Sequence, residues 1–186
     1  MRRLVSALMA SAFVLTGAAS ASASEIAVIV KTVNSTFWQN VQKGAEAAIK
    51  DSNDHTMTFQ GPAAESAIAD QVNMVENAVN RKVDAILLAP SDPDALTPAV
   101  KKAWEARIPV VIIDSQLADG ADKYYQSFLA TDNRKAGEAA AKALIDKAGT
   151  TGKIAVMSYV AGAGSEIGRV GGFVDYIKAN SKLEVV

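Results

Sequence analysis

The sequence predicts an α/β architecture on a parallel sheet, and three observations carry that reading. Apolar runs without polar alternation, such as Ile26 to Val30, suit strands covered on both faces, the condition of parallel sheets. Between such runs lie segments whose apolar residues recur at helical spacing. The connections are short, so the order βαβαβαβ calls for right-handed crossovers and helices on both sides of the sheet.

Taken in order, the first strand is read within Glu25-Ile-Ala-Val-Ile-Val30, followed by a polar loop in which Asn34, Ser35 and Thr36 offer helix caps. The first helix then sets Phe37, Val41, Ala45 and Ala48 on one face. His55 to Gln60 forms a second strand, and Ile68, Val72, Val75 and Val79 line one face of the second helix. Asp84 to Ala89 is a third strand and Pro90-Ser-Asp-Pro-Asp94 a loop whose acids cap a helix over Ala95 to Ala106, with Leu96, Ala99, Val100 and Ala103 buried. Pro109 to Asp114 is a fourth strand, its acid placed where the strand runs out, and Tyr125 to Ala130 a fifth.

A change of lobe is expected near Thr131-Asp-Asn133, dividing residues 24–131 from residues 132–186. The second part reads as a helix over Ala136 to Ala148, a strand from Lys153 to Tyr159, a helix from about Arg169 to Ala179 and a strand at Leu183 to Val186. A last strand with no covering helix is an unfinished α/β unit, so the sequence is read as a fragment or a truncated frame.

Ahead of the fold, Met1-Arg-Arg, the apolar stretch Leu4 to Leu15 and Ala21-Ser-Ala23 have the layout of a secretory signal peptide over residues 1–23. Its apolar stretch is too short for a spanning helix. Loss of Arg2 and Arg3 from 19 basic residues, against 20 acidic ones, brings the net charge to about −3, and no basic footprint for nucleic acid appears. The chain has no cysteine, which excludes a disulfide framework and a lipid-anchored amino-terminal cysteine. A soluble exported protein is expected, periplasmic in a Gram-negative cell.

Ligand crevices of open α/β sheets lie beyond the carboxyl ends of the strands. Phe37 and Trp38 are expected at that edge, where they either pack a helix's first turn or offer an aromatic platform. Asp114 is either a turn residue or an acceptor in the crevice. On the residues alone, Arg169 reads as a solvated surface charge and Lys31 as a cation that snorkels outward. Gly162-Ala-Gly164-Ser-Glu-Ile167-Gly168 lacks the glycine that a dinucleotide fingerprint needs at Ile167. His55 alone makes neither a zinc cluster nor a nucleophilic triad. Asp92, Asp94 and Asp114 are weighed as a glycosidase pair, but no defined carboxylate separation can be read from sequence. No catalytic, metal or cofactor set emerges.

Val28-Ile-Val-Lys-Thr-Val-Asn-Ser-Thr-Phe-Trp38, Ala85-Ile-Leu-Leu-Ala-Pro-Ser-Asp92, Ile108-Pro-Val-Val-Ile-Ile-Asp-Ser115, Thr131-Asp-Asn133 and Gly168-Arg-Val-Gly-Gly-Phe173 together resemble the ribose-type periplasmic sugar-binding proteins, relatives of the ligand domains of lactose-repressor-type regulators. The resemblance covers residues 24–186 in register. It implies a two-lobed type I periplasmic-binding-protein fold, each lobe a parallel sheet with helices on both faces, the second lobe incomplete and the first lacking its returning segment. It implies a non-catalytic receptor that closes on a monosaccharide or polyol and delivers it to an ABC-type membrane permease, with a chemoreceptor as a further partner. Residue by residue, it puts Lys31, Ser35, Phe37, Trp38, Asp114 and Ser115 in the first lobe's share of the pocket and Arg169 in the second's. Lys31, Ser35 and Ser115 depart from the ribose pattern, so ribose itself is not implied. An exported sugar-modifying enzyme and an intracellular repressor-type domain are the rival readings. A chain ending at Val186 is expected to be poorly stable and to bind sugar weakly.

Overall fold

The structure is a computed structural model that describes residues 23–52 and 54–186. The expected signal peptide, except for its last residue, lies outside the described residues.

Five parallel strands form the first sheet, in the order β2-β1-β3-β4-β5, with β1 at Ser24–Ile29, β2 at His55–Gln60, β3 at Ala85–Leu88, β4 at Val110–Ile113 and β5 at Ser127–Leu129. The chain goes to one side of β1 for β2 and to the other for β3, so the topological switch point lies at β1 and β3. Alternation along β1 explains its unbroken apolar run. Ala27 and Ile29 are buried with Val75 and Ala78 of α2 (Ile68–Arg81) and with Leu96, Ala99, Val100 and Ala103 of α3 (Pro93–Glu105). On the opposite face Val28 and Val30 pack with Trp38 of α1 (Thr36–Lys50) and with Ala89. Both faces are thus covered, as parallel strands require.

Helix starts follow their caps. Asp92 accepts from the backbone N–H groups of Asp94 and Ala95, and α3 begins at Pro93, two residues ahead of the sequence reading, because proline suits the first helical position. In α1 the inward face is Trp38, Val41, Ala45 and Ile49, whereas Phe37 and Ala48 are exposed, so the expected face is rotated by one residue. Ser35 fixes that phase by capping at Trp38. The fifth strand is shorter than read.

A second, two-stranded parallel sheet joins β6 (Thr151–Ile154) to β7 (Lys182–Val185), covered by α4 (Asn133–Ala148) and α5 (Gly164–Asn180). Its core is Ala141, Ile177 and Leu183, with Leu144, Ile154 and Phe173 packed against them. The strand expected over Lys153 to Tyr159 instead ends at Ile154, because β7 offers ladder partners only to Thr151 through Ile154. Tyr159, at 81% exposure, belongs to a loop. Helix α5 starts five residues earlier than read. Glycines lower helix propensity in isolation but allow α4 and α5 a very close crossing: a Cβ on Gly137 of α4 would overlap the Arg169 carbonyl oxygen, and one on Gly172 of α5 the Arg134 carbonyl oxygen.

Candidate functional site

The site is built at the carboxyl ends of β1 and β4. Gln71 of α2, fully buried, holds the loops leaving β1 and β3 together. Its amide donates to the carbonyls of Val30, at 3.1 Å, and Ala89, at 2.8 Å, and accepts from the Ser91 N–H at 2.8 Å. The next residue along β1's exit is Lys31, buried to 2% exposure. Its ammonium pairs with the Asp114 carboxylate at 2.8 Å and donates to the Ser115 hydroxyl at 2.6 Å and to the Ser165 hydroxyl at 3.2 Å.

Asp114 follows β4 in a left-handed conformation, with φ of 65°, inside a tight turn closed by the Ser115 N–H donating to the Ile113 carbonyl. A turn of this kind at a non-glycine residue is uncommon, and aspartate is among the residue types that tolerate it. From this turn the carboxylate reaches the Lys31 ammonium. Strained backbone of this sort gathers at ligand sites.

Trp38 is 2% exposed, and its indole N–H donates to Glu65 Oε1 at 3.0 Å. Phe37, by contrast, is 58% exposed and meets Trp38 edge to face, the ring centroids 4.9 Å apart. The two aromatics therefore have different tasks: Trp38 supports the wall and Phe37 presents a ring face. Across from them, Arg169 of α5 donates to the Asn133 side-chain carbonyl at 2.6 Å, which uses one of its five N–H groups. Near it, the Asp132 carboxyl lies below its ordinary value because the Lys135 backbone N–H and ammonium both donate to it.

Lys31, Ser35, Phe37, Trp38, Asp114 and Arg169 line one cleft of about 280 Å³. The sequence-named residue outside this lining is Ser115, which is 1% exposed and lies behind Lys31. Ser35 serves two purposes, as its hydroxyl also caps α1. Glu65, Thr131, Tyr159 and Ser165 join the lining without having been singled out from sequence. Glu65 sits in a loop before α2 with no periodic signal, and Ser165 was read as loop because the start of α5 was hidden among glycines. An aromatic face, two carboxylates and a guanidinium around a small polar cleft suit a neutral polyhydroxylated ring: C–H groups pack on the aromatic and hydroxyls bridge acceptor and donor.

A family model described as periplasmic binding protein domain matches residues 26–186. The ribose import binding protein RbsB of Bacillus subtilis (strain 168) is 34% identical over 161 residues, which is 87% of this chain and 50% of that protein. A crystal structure of an ABC transporter solute binding protein from Agrobacterium vitis with bound D-fucose is 85% identical, with a TM-score of 0.86, and the match covers 87% of this chain and 56% of that one. Another solute binding protein from Agrobacterium vitis, bound with alpha-D-tagatopyranose, is 30% identical with a TM-score of 0.80, over 88% of this chain and 56% of that one. The chain thus spans about half the length of these relatives.

Proposed function

Because the chain belongs to the periplasmic binding protein domain family, we propose that it is part of an exported, non-catalytic receptor that binds a pyranose monosaccharide between two lobes and passes it to an ABC-type importer in the membrane. Residues 24–131 form the first lobe and residues 132–186 the start of the second. The observation that carries this reading is the single cleft joining Phe37 and Asp114 of the first lobe to Arg169 of the second. A ligand touching both sides favours the closed arrangement by its differential contacts, and the closed outline is what the permease recognises.

Phe37 supports the C–H face of the sugar, Asp114 and Glu65 accept from hydroxyls, and Arg169 donates. The 85% identity to a solute binding protein holding D-fucose favours a sugar of that shape, with an apolar methyl edge suited to Phe37. The residues 1–23 pattern and the match to a periplasmic binding protein domain support export to the periplasm.

Calorimetric titration of the full-length protein with D-fucose, D-galactose, D-allose and D-ribose tests the reading. Saturable binding of a D-fucose-like pyranose, with the sugar recovered unaltered, is expected. Absence of heat with every sugar, or recovery of a modified one, overturns it.

A further inference from the structure

We propose that Lys31 is a positioning residue that straps the two lobes together through Asp114, Ser115 and Ser165, rather than a group that touches the sugar. The proposal deepens the receptor reading at the same site. An ammonium has three hydrogens, and Lys31 has three acceptors within hydrogen-bond distance: Asp114 Oδ2, Ser115 Oγ and Ser165 Oγ. The Ser115 hydroxyl is equally saturated. It accepts from Lys31 and, at 3.0 Å, from the Ser165 backbone N–H, and it donates to Asp114 Oδ2 at 3.1 Å. These contacts use all three Lys31 hydrogens and leave none for a ligand.

The strap crosses the molecule's natural division. Lys31 follows β1 and Asp114 and Ser115 follow β4, whereas Ser165 lies in the first turn of α5. The backbones approach closely at the same joint, since a Cβ on Gly164 would meet the Gln116 carbonyl oxygen at 3.1 Å. A lysine is otherwise an unfavourable choice here: it is buried, and it faces the positive end of a helix dipole. Asp114 supplies the opposing charge. Both of its contacts in this network use Oδ2, which leaves Oδ1 for a sugar hydroxyl. Closing the lobes therefore sets the orientation of the ligand's main acceptor, and an acceptor held in that orientation favours closure.

Residues 1–186 contain no cysteine, so spin labels are placed at Lys43→Cys in α1 and Lys178→Cys in α5 of the full-length protein, with any cysteine that follows Val186 replaced by serine. Electron-resonance distance measurements without sugar are compared among the parent, K31M and S165A. The expected result is a narrow distribution in the parent that shifts to longer separations in both variants. Unchanged distributions in both overturn the strap. If K31M loses its cooperative melt, S165A decides alone, since it removes one hydroxyl of a part-exposed residue.

Sugar affinity forms a second arm. K31M and S165A are each expected to weaken D-fucose binding roughly tenfold through faster release, with the double variant no weaker than K31M alone. The factor is expected to be the same for every mono-deoxy analogue. A loss that disappears for one deoxy sugar means that Lys31 donates to that hydroxyl, and the proposal falls. If no sugar binds at all, the receptor reading fails while the distance measurement still decides the strap.

Discussion

Phe37 and Trp38 are neighbours in the chain and opposites in the fold, and their difference gives a direct test. Trp38 is 2% exposed within the core that covers one face of β1, so Trp38→Ala opens a cavity and is expected to cost about 3 to 5 kcal/mol of stability. Phe37 is 58% exposed, so Phe37→Ala is expected to change the urea midpoint little while lowering sugar affinity about tenfold. Parallel denaturation and titration of the two variants check this. Equal losses of stability would mean that Phe37 is a core residue after all. Asp114 is the residue whose two readings the structure merges, as it is both a turn residue and a member of the cleft.

Elements hold the cleft through contacts that helical periodicity does not announce. Gln71 lies on the buried side of α2 among Val75 and Ala78, and three backbone groups at the ends of β1 and β3 depend on it. Gln71→Leu keeps the volume and orphans those groups. A loss of about 3 kcal/mol in chemical denaturation is expected. Glycines in α1 and α4 make a matched comparison. Gly44 has open space where a Cβ would go, so Gly44→Ala is expected to stabilise by about 0.5 to 1 kcal/mol through helix propensity. Gly137→Ala collides with the backbone of α5 at Arg169 and is expected to cost about 1 to 3 kcal/mol. Because it pushes away the helix that carries Arg169, it should also weaken sugar binding, whereas Gly44→Ala should not. Thermal melts and titrations of the pair separate packing from propensity.

At the scale of the whole molecule, a ligand held from two sides couples binding to stability. With sugar at a hundredfold excess over its dissociation constant, the full-length protein is expected to gain about 2.7 kcal/mol, a rise of roughly 4 °C in its melting midpoint. A scan with and without D-fucose, against a non-binding sugar as control, measures it. If the proposed strap at Lys31 sets the relative placement of the lobes, its loss is expected to lower this sugar-dependent gain as well.

The order of elements was legible in the sequence because each strand covered on two faces must be apolar throughout and each helix must show its buried side at helical spacing. The edge strand His55 to Gln60 matches its expected bounds although it is neither apolar throughout nor buried on both faces, and the family resemblance pointed to Lys31, Ser35, Phe37, Trp38, Asp114 and Arg169, which line one cleft. Periodicity has an error of about one residue in phase, which is why the inward face of α1 was assigned to Phe37 rather than Trp38. It is silent on glycine-rich helices stabilised by a partner, which hid the start of α5 and with it Ser165. It is silent, too, on side chains recruited from loops, such as Glu65. Which neighbour consumes which hydrogen bond is a fact of three-dimensional distance between residues as remote as Lys31 and Ser165. Local sequence fixes hydrophobic pattern and caps, while the saturation of a buried ammonium depends on chain segments that only folding brings together.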